Sequence, residues 1–169
     1  MTNRFILLCF MAAINIAQAQ DNCFYSLYEL DIQNRPESII TSPDPIGYGQ
    51  DNQQLYLSMG YDVMDDPYIA IYLEYAIDDD CTGKKSYAEF ILTTGQTIRR
   101  DHVHGKHCNE KAAFILQPFL ITDTDQELLE AMQIHGIVQI NLYFQKKRIS
   151  VMVSDQNVIK RHLDCLAGA

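Results

Sequence analysis

Residues 138–153 read VQINLYFQKKRISVMV and carry the clearest strand pattern of the sequence. Apolar and polar side chains alternate on both sides of a basic turn, which is the period-two pattern of two paired β-strands. We expect Leu142 to lie opposite Val151, because both apolar rows then fall on the same face of the sheet. The sequence therefore predicts a hairpin whose loop covers residues 145–148.

Alternation of the same kind occurs nearer the middle of the chain. Residues 55–63 and 69–77 carry apolar side chains at every other position around an Asp-Asp-Pro turn, so Val63 is expected opposite Ile69. Residues 33–54 differ, since they contain three prolines and two glycines with little periodicity. They are expected to form a long irregular loop, of the kind that often binds partners.

Two segments show helical spacing. Thr124-x-x-Glu127 is a capping-box pattern, and the apolar run that follows it stops at Gly136. Ser154 is expected to cap a last helix, whose apolar stripe runs to the end of the chain.

The order of these elements predicts the fold class. About eight strands are accompanied by two short helices, one before the last hairpin and one at the C-terminus. This order is α+β and mainly antiparallel, in a β-sandwich-like arrangement or an open sheet, because strands and helices do not alternate as they do in parallel βαβ folds.

The first residues have the layout of a secretion signal. Arg4 supplies a positive charge, residues 5–16 are mostly apolar, and Ala17-Gln18-Ala19 is a small-x-small cleavage pattern. We therefore expect residues 1–19 to be a signal peptide and residues 20–169 to form a single mature domain. The protein is then secreted or periplasmic, where disulfides form.

A third hairpin is expected from residues 86–92 and 97–103, which flank Thr94-Gly95. The proposed register places Glu89 opposite Arg100, a favourable cross-strand pair of opposite charge.

Four cysteines follow the leader, and an even number in an exported chain predicts two disulfides. Extending the register of the third hairpin places Cys81 opposite Cys108, which predicts one bond between them. Cys23–Cys165 then follows by elimination and would join the first strand to the last helix.

The balance of charge limits the classes of partner. The chain carries 13 basic and 22 acidic side chains, a net charge of −9 with neutral histidines. This disfavours nucleic acid as a partner, because phosphate contacts need lysine and arginine. No apolar stretch of the sequence reaches the length of a membrane span. The basic residues concentrate around the third hairpin, where an anionic glycan or an acidic protein could bind: Lys84, Lys85, Arg99, Arg100 and Lys106.

The same hairpin ends in a dense cluster of potential metal ligands. His102, His104 and His107 lie close together in sequence, and imidazole suits a transition metal such as zinc, copper or nickel. On a strand, His102 and His104 point to the same side. The neighbouring cations oppose a metal ion, so the alternative interpretation is a set of solvent-facing histidines at a hairpin end.

No nucleophile-elbow, H-E-x-x-H or phosphate-loop motif is present in the sequence. We therefore expect a small, exported, non-catalytic binding module that needs no cofactor and presents residues 33–54 and 84–106 to a protein or glycan partner. Two alternatives stay open. One is a metal-binding or metal-dependent protein that uses the three histidines, and the other is a carrier with an interior cavity for a small hydrophobic ligand.

Overall fold

A computed structural model describes residues 23–30, 36–62, 67–77, 80–103, 106, 112–120 and 123–169. These residues form a mainly antiparallel open sheet with two helices, one before the last hairpin and one at the C-terminus, which confirms the predicted fold class. The elements are β1 (Tyr25–Leu30), β2 (Pro36–Thr41), β3 (Asp44–Tyr48), β4 (Gln54–Asp62), β5 (Tyr68–Tyr75), β6 (Tyr87–Leu92), β7 (Thr97–Asp101), β8 (Ala112–Ile115), β9 (Phe119–Leu120), α1 (Asp123–His135), β10 (Ile137–Tyr143), β11 (Arg148–Val153) and α2 (Val158–Ala167).

Strand β4 organises the sheet. One of its edges pairs with β5 along nearly the whole strand, and the other pairs with β3 and then with β2. From β3 the sheet continues through β11, β10, β6 and β7, while β1 adds to β2, and both β8 and β9 add to β5. Beyond β7, His102 forms an isolated bridge with Leu116, which follows β8. Buried side chains from the sheet and from both helices form one hydrophobic core.

The predicted registers of two hairpins are wrong by two residues. Leu142 lies opposite Ile149 rather than Val151, and Ile69 lies opposite Tyr61 rather than Val63. In the last hairpin the loop covers residues 144–147 and is closed by a hydrogen bond from the Phe144 amide to the Lys147 carbonyl. A shift of two residues keeps every side chain on its predicted face, so the expected apolar rows are still buried.

The register of the β6–β7 hairpin is wrong by one residue, which has a larger consequence. Ala88 lies opposite Arg100 and Glu89 lies opposite Arg99, so the predicted Glu89–Arg100 pair does not form. Phe90 is fully buried in the observed register and pairs with the buried Ile98. In the observed register the Arg100 side chain is buried, whereas the Arg99 side chain is exposed to solvent.

The segment 33–54 is not an irregular loop where it is described, because it contains β2, β3 and the start of β4. Its prolines do not break the sheet, since Pro36 begins a strand and Pro43 lies between two strands. Farther along the chain, Pro118 lies between β8 and β9 and belongs to neither strand.

Both helices end as predicted but begin differently. Helix α1 starts at Asp123, one residue before the expected cap Thr124, and stops before Gly136, whose φ of 68° favours glycine. Ser154 does not cap α2, because its hydroxyl donates a hydrogen bond of 3.0 Å to the Ile46 carbonyl oxygen. The helix α2 begins at Val158 instead. Val158 and Met132 of α1 are both buried in the hydrophobic core.

A disulfide bond joins the two ends of the described domain. Cys23, just before β1, and Cys165 of α2 form a disulfide whose Cα atoms are 5.5 Å apart. Cys81 is also disulfide-bonded, and its expected partner Cys108 lies outside the described residues, as does the leader 1–19. Among the helices that the structure describes, none combines the length and the apolar character needed to cross a lipid bilayer.

Candidate functional site

A groove lies between the two helices, and we call it the interhelical groove. It has a volume of about 540 Å³ and lies where α1 and α2 cover strands β4, β5 and β9. Its apolar surface comes mainly from half-buried side chains that also pack on the core, and Leu120 at its margin is 44% exposed. The apolar lining residues are Tyr61, Ile69, Phe119, Leu120, Leu129, Leu163, Leu166 and Ala167.

The charged side chains that line the interhelical groove among the described residues are all carboxylates. Glu130 comes from α1, Asp164 from α2, and Asp125 from the first turns of α1. Glu130 accepts a hydrogen bond from the Gln126 amide, and Asp164 forms an exposed ion pair of 2.7 Å with Lys160.

Asp125 differs from the other two carboxylates because both of its oxygens are held by the protein. Oδ1 accepts a hydrogen bond from the buried Arg100 guanidinium, and Oδ2 accepts one from the Leu120 amide at 3.1 Å. The Arg100 guanidinium also lies 3.7 Å from the centre of the Phe119 ring. This arrangement fixes β7, β9 and α1 relative to one another, and it removes Arg100 from the predicted binding surface.

A Thr–His–Asp arrangement lies beside the Cys23–Cys165 disulfide. Nδ1 of His162 is 2.6 Å from the Thr41 hydroxyl, and Nε2 is 3.4 Å from Oδ2 of Asp44. The Thr41 oxygen is buried and also hydrogen bonds with both backbone groups of Met59, and the adjoining cavity measures only about 30 Å³. The hydroxyl therefore has no room for a substrate, and the arrangement fastens α2 to β2 and β3.

The buried His162 makes stability depend on pH. Burial is the main cause that lowers the pKa of His162; Asp44 opposes this shift, Arg161 adds to it, and Asp155 opposes it. Because the unfolded chain binds the proton more readily, stability falls as the pH drops below about 6.5.

We expect His162→Asn to reduce the loss of unfolding free energy between about pH 7.5 and about pH 5, because asparagine does not titrate in this range. Urea denaturation of both proteins across this range measures the effect. Equal losses in the two proteins would show that other groups cause the acid sensitivity.

The predicted metal site receives little support from its one described histidine. His102 is only 5% exposed. The alternative interpretation, in which the histidines face solvent at the end of the hairpin, therefore does not hold for His102. Its Nδ1 accepts a hydrogen bond of 3.2 Å from the Ile115 amide, and its ring packs edge-on against Phe114. His104 and His107 lie outside the described residues, and within the described part no three potential ligands converge on one point. A transition-metal site at these histidines stays a prediction.

The predicted basic surface divides into parts with different surroundings. Lys84 and Lys85 are exposed on the turn before β6, and Lys106 is exposed farther along the chain. Arg99 projects from the outer face of β7, where it pairs with Asp101 at 2.9 Å and covers the Tyr87 ring at 3.7 Å.

The structure brings two further lysines close to Lys84 and Lys85. Lys146 and Lys147 are exposed on the β10–β11 turn, which lies against the turn that bears Lys84 and Lys85. A Cβ atom on Gly83 would come within 2.3 Å of the Gln145 side chain, so the two turns are in direct contact. We call these four lysines the basic corner.

A buried carboxylate ties the Lys146–Lys147 turn of the basic corner to the segment that precedes Lys84. Asp80 is 6% exposed, and its Oδ2 accepts hydrogen bonds from the amides of Lys146 and Lys147 at 3.0 and 2.8 Å. Its Oδ1 accepts a third bond of 2.8 Å from the Cys81 amide. The Gln145 amide also donates a hydrogen bond to the Cys81 carbonyl. These bonds hold the β10–β11 turn against residues 80–81. The turn that bears Lys84 and Lys85 is closed separately, by a hydrogen bond of 2.7 Å from the Ser86 amide to the Gly83 carbonyl oxygen.

The outer face next to the basic corner carries two stacked tyrosines. The rings of Tyr87 and Tyr143 are 4.1 Å apart and nearly parallel. Arg99 lies over Tyr87, and the Arg148 guanidinium is 5.0 Å from the centre of the Tyr143 ring. The two rings stack on each other, and each also contacts an arginine. Little aromatic surface is therefore left on which a sugar ring could stack.

Comparisons with known protein families, with curated protein sequences and with solved structures give no significant match for this chain. The surfaces described above are therefore interpreted from their own chemistry.

Proposed function

We propose that the protein is an exported, non-catalytic binding module that engages an acidic polypeptide segment through its basic corner. The observation that carries this proposal is the buried Asp80 carboxylate, which ties the Lys146–Lys147 turn to the segment that leads into the Lys84–Lys85 turn. Four exposed lysines, with the single buried carboxylate of Asp80 beneath them, leave a local excess of positive charge in a chain of net charge −9, and this excess attracts a negatively charged partner. Export is supported by the Cys23–Cys165 disulfide, because such bonds persist in oxidising compartments.

An acidic polypeptide is favoured over a glycan by the neighbouring aromatic side chains. Carbohydrate binding commonly uses an open aromatic face, and the faces of Tyr87 and Tyr143 are already in contact with each other and with arginines. Side-chain carboxylates need only the lysine ammonium groups, which are strongly hydrated point charges on flexible stems. Fixed turns reduce the part of the binding cost that comes from ordering the protein backbone.

The test measures the affinity of the purified protein for a labelled oligoglutamate peptide by fluorescence anisotropy. Replacing one lysine of each turn, Lys84→Gln with Lys146→Gln, is expected to weaken binding about fivefold, because each exposed ion pair contributes roughly 0.2–1 kcal/mol. Raising the salt concentration is expected to weaken binding of the parent protein as well.

A matched control lowers the net charge equally at another place. Gln96→Glu with Gln156→Glu also removes two units of charge, at exposed sites next to the β6–β7 turn and to the start of β10. These sites lie about 20 Å from the basic corner, which is the length of strand β6. Equal weakening in both variants would mean that only the net charge matters, and binding of a sulfated glycan fragment without binding of oligoglutamate would contradict the proposed class of partner.

A further inference from the structure

We propose that the interhelical groove is a second, independent site that binds a small cationic amphiphile, a molecule with an apolar body and an ammonium or guanidinium head. Its volume of about 540 Å³ lies within the usual range of small-molecule sites, roughly 300–1,000 Å³. The carrier hypothesis from the sequence placed such a site inside the sheet. The sheet interior is instead filled by the hydrophobic core, and the groove lies outside it.

The apolar part of the ligand is defined by the floor and walls of the groove. Leu129 of α1 faces the groove from one side, Leu163 and Leu166 of α2 face it from the other, and Phe119 of β9 also lines it. The three leucines are only partly buried although they pack against the core, so a bound apolar chain would remove more of their surface from water. The exposed Leu120 extends this apolar surface to the groove margin.

The charge of the ligand is defined by the carboxylates. Both oxygens of Asp125 already accept hydrogen bonds, one from Arg100 and one from the Leu120 amide. Asp125 therefore forms part of the groove wall and does not contribute to ligand recognition. Glu130 and Asp164 stand on the two helices that form opposite walls, and the cation beside Asp164 is an exposed lysine whose ion pair contributes little. A ligand cation is therefore attracted from both walls. An anionic amphiphile such as a fatty acid would instead meet like charge.

The binding test uses decyltrimethylammonium as the probe, kept below its micelle concentration, with isothermal titration calorimetry of the disulfide-intact protein. We expect saturable binding with one molecule of probe per chain. Decyl sulfate, which has the same chain and the opposite charge, is expected to bind at least about tenfold more weakly in the groove.

Two kinds of variant locate the bound probe. Ala167→Trp places an indole in the groove from an exposed position near the end of α2, and it is expected to lower the affinity at least about tenfold. Ile134→Trp is the matched control, because Ile134 is 73% exposed and does not line the groove. The charge variant Glu130→Gln with Asp164→Asn keeps the shape of the groove, and it is expected to lower the affinity for the cationic probe about fivefold.

The outcomes separate this proposal from the basic-corner proposal. Loss of probe binding in Ala167→Trp but not in Lys84→Gln/Lys146→Gln supports a separate groove site. Absence of saturable binding, equal binding of decyl sulfate in the groove, or binding that survives both Ala167→Trp and the charge variant would overturn it. Failure of oligoglutamate binding would leave the result on the groove unaffected.

Discussion

Replacing Cys23 with serine and Cys165 with alanine in one variant is expected to lower the free energy of unfolding by about 4–5 kcal/mol. The two cysteines are 142 residues apart in sequence, and a bond that closes so long a loop removes much of the conformational freedom of the unfolded chain. Strand β1 pairs only with β2 among the described strands, so the disulfide is also its strongest tie to α2. Guanidinium denaturation monitored by circular dichroism measures the loss.

A matched control weakens the same contact without breaking the covalent bond. Tyr25→Phe removes the hydrogen bond of 3.0 Å from the tyrosine hydroxyl to the Cys165 carbonyl oxygen, at an expected cost of about 1 kcal/mol. If the cysteine variant lost no more stability than Tyr25→Phe, the disulfide would not be the main tie between β1 and α2.

Asp125→Ala is expected to destabilise the protein by about 3–5 kcal/mol, because it leaves the buried Arg100 charge without its carboxylate partner. The surroundings of Arg100 offer little compensation, since its Nε atom has no hydrogen-bond partner among the described residues. The double variant Arg100→Met with Asp125→Leu is expected to recover much of the loss, because apolar side chains of similar size suit this position beside Phe119. Urea denaturation of the parent, Arg100→Met, Asp125→Leu and the double variant measures the coupling, and Asp125→Ala is measured beside them.

The exposed pair on the same strand provides the control for this experiment. Arg99 and Asp101 are both more than half exposed, and Asp101→Ala is expected to leave stability unchanged within experimental error. A large loss from Asp101→Ala, or no recovery in the double variant, would contradict the assignment of Arg100–Asp125 as the critical ion pair.

Alternation of apolar residues predicted the type of fold but not the pairing of its strands. The rows that contain Leu142 and Ile69 were placed on the correct face, because a shift of two residues preserves that face. The length of each loop depends on hydrogen bonds such as that from Phe144 to Lys147, which the alternation does not encode. In β6–β7 the predicted register places Glu89 opposite Arg100, whereas the observed register pairs the buried Phe90 with the buried Ile98.

The candidate sites depend on residues that are far apart in sequence, and this limits what the pattern could predict. Lys84 and Lys85 were recognised from the sequence, whereas Lys146 and Lys147 join them only because Asp80 reaches across to the β10–β11 turn. The interhelical groove needs both helices and β9 in their final positions, so no local motif marks it. The sequence did contain one usable signal, since Arg100 continues the buried row of Ile98 and a buried arginine requires an acidic partner.

The bond between Cys23 and Cys165 makes the chain between them a covalent ring. A single protease cut inside that ring opens it without releasing a fragment. The two pieces stay covalently linked until the disulfide is reduced. The Cα atoms of Cys23 and Cys165 are only 5.5 Å apart. A short peptide linker could therefore connect these two positions in place of the disulfide. A permuted chain that starts within an exposed turn would then keep the same neighbours throughout the sheet.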